Sequence, residues 1–599
     1  LADTSARRHN LKRKGVAGFD RDMFRAFVSK ARSDAHFISN LQYSDEISKL
    51  LTKMRDEAAD KNGEGTRADR ARAFNEVMKR HMIGMDYKAS PLLDKLSSIN
   101  AVWTLLMMPR FYIQNLTQTP MISLPVMAAE YGYKDSVAAV FDAYKVWNKS
   151  KPETLRQWLN GEFDINNMRD ADGKPLSEDT KEVLTRLRDD GLIDVGLTYD
   201  LGYWESYGQS KISDGIASFM HGLTSVTRQV EVINRISSGL GAYRLALSKG
   251  KSKEEAYAFA EKILSETQGD YHWRNAPSLF DKVPAGQLIL QFRKFQLIQA
   301  SLLIKYYSQW RNGATPEERI VGRKVLTYVL GQAAVMTGAL GLPGVALTAY
   351  ILGSIFGPDD EPMDAERTLR RLFGDNKMLA DLILKGAPTA GGIDVSNQLG
   401  FDTAFSPLPY TEIDLTSKEG FYKTLIGIMG PIFGTAANIA DGASYMARGD
   451  YYKGIEQALP NGPKHALRSY RETVWGGVSN RSGDQLVSPE EFNYLQTLIQ
   501  GMGFTTTELA RIRRARKDIY EFEKYFKDRT ATIRREYIAA RKSGDADGMA
   551  EARQEWRALQ DAKRRVNMKP SPLMNLYSAP AQQRTREKEG KKKLLRAME

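Results

Sequence analysis

The chain has 599 residues and a mass of 67.3 kDa, with 42% hydrophobic and 27% charged residues, close to globular averages. That composition excludes a disordered tail, a collagen-like rod and a polytopic transporter, and the absence of Cys removes disulfides, thiolate zinc sites, iron–sulfur clusters and cysteine nucleophiles together. Net charge is +13, of which +12 lies in residues 511–599, where 25 Lys+Arg face 13 Asp+Glu; a near-neutral body carries a basic C-terminal region that fits nucleic acid or an anionic membrane surface, the plainer alternative being a solvated helix surface.

Helix signals dominate from the first residues onward. The fold class they imply is mainly α: an extended multi-helix assembly with apolar Gly/Pro-rich helices, ending in a C-terminal antiparallel helical hairpin. The chain begins with Leu1 and carries the basic run Arg7 to Lys14 without a signal-peptide pattern, so residues 1–90 read as a helical region continuing from an upstream chain. Met23, Phe27 and Ala31 set its helical period. Residues 91–312 read as a helical body, with Ile212, Ile216 and Phe219, then Leu288, Phe292, Phe295, Ile298 and Leu302 recurring at helical spacing. Capping-box spacing or a close variant recurs at Thr66 to Asp69, Ser252 to Glu255, Thr315 to Glu318, Ser488 to Glu491 and Thr505 to Glu508. Pro316 and Pro489 suit a first helical position, where the missing N–H costs nothing. Residues 191–204 and 394–414 read as loops with room for short strands, and there is no fixed-period repeat.

Three stretches are too apolar and glycine-rich for routine surface helices. In the expected membrane-active region 313–360, Val325 to Pro358 has no Asp, Glu, Lys, Arg or His. Pro343 divides it. Val325 to Leu342 would span about 27 Å as a helix, near the roughly 30 Å hydrocarbon core. Ala334 and Gly338 have the i, i+4 spacing that lets helix backbones approach, and Gly338, Gly341 and Gly344, spaced by three, read as helix packing and not as a phosphate loop. The second stretch, residues 424–440 within a mixed loop and helix region 361–504, contains Gly430 and Gly434 around Pro431. The third runs from Phe111 to Ala129 through Pro120 and Pro125. Two readings stand: buried core helices of a large α protein, or segments folded in one assembly that insert in a bilayer later, for which Gly and Pro keep a helix bendable.

In residues 505–568, Ile512, Ala515, Ile519, Phe522, Phe526, Ile533, Tyr537 and Ala540 form one apolar stripe, and Met549, Ala552, Trp556 and Leu559 answer it. The break at Ser543-Gly544-Asp545 predicts a hairpin turning between Ser543 and Gly548. Residues 569–599 lack apolar periodicity and read as a mobile basic tail. The cations expected to hold duplex DNA without reading bases are Arg511, Arg513, Arg514, Lys517, Arg534, Arg535, Lys591, Lys592 and Lys593. The residues expected at a membrane or helix interface are Val325, Ala334, Gly338, Gly341, Pro343, Gly344, Gly430 and Gly434.

Catalytic patterns are missing. The six histidines share no helix-turn spacing, and there is no H-E-x-x-H, P-loop or G-x-S-x-G elbow. Glu205-Ser206 has only a faint likeness to a transglycosylase Glu-Ser pair. His272-Trp273-Arg274 with Phe292, Phe295, Tyr306, Tyr307 and Trp310 suits core packing better than base stacking. The region is expected to be no enzyme and to need no cofactor or metal.

Several long strings carry a resemblance. They are Pro109-Arg110-Phe111-Tyr112-Ile113-Gln114-Asn115-Leu116-Thr117-Gln118-Thr119-Pro120 with Leu124-Pro125-Val126 and Tyr131-Gly132; Glu231-Val232-Ile233-Asn234-Arg235 with residues 242–246, 256–260 and 267–271; and Pro284-Ala285-Gly286 with Leu290-Gln291-Phe292-Arg293-Lys294-Phe295. In this order, with the closing hairpin, roughly residues 90–580 resemble the C-terminal part of the large internal virion proteins of short-tailed bacteriophages. The Pro-Leu-x-Arg-Phe-Gly motif that often labels those proteins is absent from this sequence. The resemblance implies an ejection protein, stored near the portal with other ejection proteins and released into the host envelope, periplasm and inner membrane, as part of a DNA conduit. It also implies a homo-oligomeric ring around double-stranded DNA. The competing expectations are a static virion core or scaffold protein, and the non-catalytic part of a larger virion enzyme such as an envelope hydrolase or polymerase.

Overall fold

Helix starts fall where side-chain oxygens can answer exposed amide groups. Ser252 and Thr315 each close a full capping box, with Glu255 and Glu318, and Pro316 occupies the first turn. Thr66 accepts from the Asp69 amide at 3.2 Å. The cap expected at Thr505 sits one residue later: Thr506 accepts from the Leu509 amide, and both threonines lie in a two-residue strand. The fifth, at Ser488, lies outside the described residues. The computed structural model describes residues 23–60, 66–86, 99–150, 165–193, 211–269, 293–356, 364–374, 376–402, 424–425, 431–474, 494–566, 568–572 and 574–577.

The described chain is mainly α. Its helices are α1 (Met23–Ala59), α2 (Arg67–Asp86), α3 (Pro109–Leu116), α4 (Leu124–Tyr131), α5 (Tyr133–Ser150), α6 (Glu178–Asp189), α7 (Lys211–Ser248), α8 (Lys253–Thr267), α9 (Arg293–Asn312), α10 (Pro316–Thr337), α11 (Val345–Phe356), α12 (Ala365–Arg370), α13 (Lys377–Lys385), α14 (Ser396–Leu399), α15 (Pro431–Ala447), α16 (Tyr451–Ala458), α17 (Asn461–Val474), α18 (Tyr494–Gly501), α19 (Thr507–Ser543), α20 (Ala546–Arg565) and α21 (Met574–Tyr577). Two two-residue strands, β1 (Ile393–Asp394) and β2 (Thr505–Thr506), pair antiparallel with Ile393 opposite Thr506. Their pairing ties the mixed region 361–504 to the root of the hairpin.

The main core gathers α4 to α10. Ile236, Leu240, Ala246, Leu184, Leu187, Val329 and Ala333 are fully enclosed in one apolar cluster. Val325 therefore belongs to the helical body and not to a separate apolar unit beginning at residue 313. The stretch from Phe111 to Ala129 is also core: it runs through α3, a π-helical turn at Thr119–Ser123 and α4, with Met121, Ile122, Val126 and Met127 buried. Pro120 and Pro125 sit in the first turns of the π-turn and α4, where a proline is tolerated.

Two of the strings behind the resemblance meet inside this core. Asn234 Nδ2 donates to the Asn115 carbonyl at 2.7 Å, and the Gln118 amide donates to the Thr267 carbonyl at 3.0 Å. Ser123 and Thr267 hydroxyls lie 2.7 Å apart, while Gln268 donates to both Ser123 and Ser238. Arg235 donates to the carbonyls of Leu192 and Gly269, each at 2.8 Å. Each of these bonds satisfies a group whose isolation in a low-dielectric interior would be expensive. Together they fix how α3, the π-turn, α7 and α8 register. Residues 284–292 of the third string lie outside the described residues.

The apolar stretch from Val325 is not one 18-residue helix divided at Pro343. α10 ends at Thr337, Gly338 leaves it with φ +68°, a 3-10 turn covers Ala339–Gly341, and α11 follows. The break comes five residues early because Gly338 is a helix end packed onto another helix end. A Cβ on Gly338 would stand 2.2 Å from the carbonyl carbon of Leu384. No described helix is long and apolar enough to cross a membrane.

The hairpin turns where expected. Gly544 takes φ +76° at the end of α19, and Asp545 caps α20 by accepting from Gly548 at 2.9 Å. Phe526, Ile533 and Tyr537 pack against Ala552, Trp556, Leu559 and Ala562 in a core of its own. α19 has 37 residues and α20 only 20, so α20 covers just the distal half. Ile519 is consequently exposed, and the proximal half of the stripe has no hairpin partner. Nor is all of 569–599 a mobile tail: Leu576 on α21 is fully buried in the hairpin core, and Tyr577 packs on Tyr537. Met574, Leu576 and Tyr577 supply one apolar turn, too short to register as periodicity.

Candidate nucleic-acid and membrane faces

Helical geometry puts Arg511, Arg514 and Lys517 on one stripe of α19, three residues apart. The structure gives each of them an acidic partner brought from residues 364–381. Arg511 pairs with Asp381, and Arg514 pairs with Asp364 and, at 2.8 Å, with Glu366. Lys517 reaches Asp364 at 3.3 Å. Arg370 pairs with Asp381 and, at 2.8 Å, with Glu366; Lys385 bonds Asp394 at 2.8 Å, and Arg367 bonds Asp518 at 2.6 Å and Glu521 at 3.1 Å. Asp364 also caps α12 by accepting from the Arg367 amide. Burial alone would raise the Asp364 pKa, but the Arg514 and Lys517 charges outweigh it and hold the carboxyl down at about 2.

The other predicted cations are scattered. Arg513 is exposed, with the charges of Glu472 and Arg468 acting on it. Arg534 is half-buried, whereas Arg535 is exposed and bonded to its own helix through Thr532 at 3.1 Å. Lys591, Lys592 and Lys593 lie outside the described residues. Exposed cations that the spacing did not single out include Arg541 and Lys542 near the turn, Arg553 and Arg557 along α20, and Arg564 and Arg565 at its end. The acids Asp364, Glu366 and Asp381 were also missed; no local pattern reveals a partner some 130 to 150 residues away.

Next to this network the apolar outer faces collect. α13 has a mixed inner face: Ala380 and Leu384 are buried beside Asp381 and Lys385, while Met378, Leu379, Leu382 and Ile383 are exposed, Met378 to 69%. The ion pairs take up part of the inner side, and four apolar residues are left outside. α11 buries Ala346 and Ala349 and exposes Leu347, Ile351 and Leu352. Val335 stands out from α10 at 56%. Among the predicted interface residues, Val325 and Gly341 are buried, Ala334, Pro343 and Gly344 are partly covered, and Gly434 lies in α15 with open space beside it. Gly430 lies outside the described residues.

A third titratable cluster joins α16 and α17. Glu456 takes Arg468 and Arg471, each at 2.9 Å. Glu472 is buried with its Oε2 unbonded, and burial raises its pKa to about 7. His465 is pushed down to about 4 by burial and by the charges of Arg468 and Arg110.

Glu205 and the His272 cluster lie outside the described residues. Of the aromatic group, Tyr306 is core and hydrogen-bonded to Glu266, while Tyr307 and Trp310 form an exposed edge-to-face pair. Among the described residues no group of three or more His, Asp or Glu is placed to hold a metal ion. No protein-family model matches the chain, and no curated protein or solved structure matches it.

Proposed function

We propose that the chain is an internal virion (ejection) protein of the kind its sequence resembles, stored near the portal with other ejection proteins and released into the host envelope to form part of a conduit for double-stranded DNA. The observation that carries this reading is the outward apolar face of α13. A helix that buries Asp381 and Lys385 beside Ala380 and Leu384 and exposes Met378, Leu379, Leu382 and Ile383 presents apolar side chains suited to an apolar surface met later. The outward residues of α11 and Val335 extend that character without forming a span. The basic hairpin supplies phosphate contacts that need no base reading. Ring assembly would cover the exposed apolar residues, and no catalysis is assigned to this region.

One observation favours the static core reading as the alternative. Val325, Val329 and Ala333 are locked into the main core, so α10 reaches a bilayer only if that core opens. Release of an entrapped dye from vesicles of anionic and zwitterionic lipid separates the two. The ejection reading expects release by the full chain at micromolar concentration, and a tightly sealed vesicle population at every protein concentration would leave the static reading in front.

A further inference from the structure

We propose that Asp364, Glu366 and Asp381 act as an internal stand-in for nucleic-acid phosphates, holding the cation stripe of α19 shut until duplex DNA displaces them. The inference rests on the reading that this part of the chain meets DNA, and adds to it a competition built into the fold.

Three features of the contact argue for a latch. The first is the recognition chemistry. Arg514 spreads two N–H groups over two separate carboxylates, the forked geometry that arginine also uses on phosphate oxygens. Arg511 and Lys517 flank it on the same stripe, over about 9 Å of helix rise. A phosphate backbone running along the helix offers the same three cations the same kind of partner.

The second feature is what happens to the charges when the contact opens. Six acids (Asp364, Glu366, Asp381, Asp394, Asp518, Glu521) meet six cations (Arg367, Arg370, Lys385, Arg511, Arg514, Lys517) in one network. On separation Glu366 and Asp381 keep Arg370, and Asp394 keeps Lys385. On the other side Asp518 stays with Arg514, and Glu521 with Lys517, each four residues on along α19. Neither half is left holding only one sign of charge; Asp364 gives up Arg514 and Lys517, and Arg367 and Arg511 give up their acids across the contact, so these three groups pass to water or phosphate as the contact opens.

The third feature is what else joins the two sides. The apolar cluster containing Ala365 and Leu384 includes no residue of α19, and the hairpin cluster includes none of α12 or α13. The root of α19 is held by the β1–β2 pairing and by the Thr507 amide, which donates to the Gly392 carbonyl at 2.8 Å; beyond that root Ala515 and Ile519 are exposed, and a non-ionic contact along the stripe is the Arg367 guanidinium over the Phe522 ring at 4.7 Å. A contact made of charges yields to a polyanion, whereas an apolar one would not.

The test uses the full chain and a 30-base-pair duplex of arbitrary sequence, titrated between 50 and 200 mM KCl. The variant D364N/E366Q/D381N frees the stripe. The variant E536Q/D547N/E551Q removes the same charge from exposed positions on the hairpin. The latch predicts that the first variant binds roughly tenfold tighter at 50 mM salt, because its cations no longer have to be taken from the acids, while parent and variant make the same phosphate contacts once bound, and that the second changes little. Equal gains in both variants, or none in the first, overturn the latch while leaving the DNA reading intact. No binding by the parent or by either variant overturns both. A second measurement does not depend on the variant folding. The chain has no native Cys, so spin labels at Leu372→Cys and Tyr520→Cys, both exposed, report the distance across the contact. Saturating duplex lengthens that distance if the latch opens, and an unchanged distance at saturation overturns it.

Discussion

Gly338 and Gly386 close each other in. Both leave a helix with positive φ, at +68° and +90°, and each lies against the backbone that ends the other's helix. A Cβ on Gly338 would sit 2.2 Å from the Leu384 carbonyl carbon, and one on Gly386 would sit 2.5 Å from that of Met336. This mutual approach, not Pro343, sets where the apolar stretch folds back.

Gly338→Ala is therefore expected to destabilise by roughly 3 kcal/mol or more, combining the strain of a glycine-only backbone region with displaced backbone of α13. Gly331→Ala, in the same helix with nothing within 4 Å of the new Cβ, is expected to be neutral or to stabilise by up to about 1 kcal/mol. Urea unfolding of both variants measures the contrast. Similar midpoints would show that the close approach is not tight.

Glu472 makes stability depend on pH in a direction opposite to an ordinary ion-paired acid. Its folded pKa is raised to about 7 by burial, so the folded state holds its proton where the unfolded chain has lost it. Its contribution is complete below the unfolded value near 4.5 and is lost as pH rises through 7, which amounts to about 3 kcal/mol. Glu472→Gln keeps the neutral shape, so its stability relative to the parent should climb between pH 5 and pH 8. Comparing variant and parent at each pH cancels the opposite contribution of His465, whose lowered pKa removes stability as pH falls from 6.5 toward 4. A flat difference curve would place the Glu472 carboxylate in contact with water.

What the sequence made legible was local. Ser252, Thr315 and Pro316 announced helix starts because capping acts within four residues. Gly544 and Asp545 announced the turn for the same reason. Trp556 and Phe526 could be paired across it because both stripes are helical and adjacent. The functional surfaces were less legible. Arg511, Arg514 and Lys517 stood out as cations, but their acids, in direct contact in the fold, lie more than a hundred residues away in sequence. α13 was missed because the pattern Lys377 to Lys385 is amphipathic either way round; only tertiary pairing decides that its charges face inward. Similarly, no periodicity shows that Val335 points out while Val329 points in toward Tyr306's core.

The hairpin is expected to hold as a unit of its own. Trp556 is 1% exposed at the centre of its core, so Trp556→Ala should cost about 3–5 kcal/mol in that unit. Asp545→Ala removes the cap on α20 and should cost about 1 kcal/mol. Hydrogen exchange resolves the two: the first is expected to expose α19 beyond Phe526 together with α20, the second to fray only the start of α20. Loss of protection across α4 to α10 in either variant would mean that the hairpin core and the main core unfold together.

The apolar faces separate lipid contact from ordinary surface. Val335 and Leu382 are exposed at 56% and 41%, so Val335→Asp and Leu382→Asp should change the stability of the unbound fold by no more than about 0.5 kcal/mol. At a bilayer centre the same carboxylate costs roughly 2.5–3.5 kcal/mol, and less near the interface. Each variant should therefore need roughly tenfold more lipid for half-maximal dye release, with its unfolding midpoint unchanged. Ile304→Asp, 57% exposed and on α9 rather than on α10 or α13, should leave release unaltered. The three together decide between explanations. If Leu382→Asp alone impairs release, the outward face of α13 meets the lipid while α10 stays in its core. If Val335→Asp impairs it as well, the core around Val329 and Ala333 must open on the membrane, because Val335 shares their helix. If all three act alike, or none does, the outward apolar residues of α10 and α13 have no special part in meeting lipid.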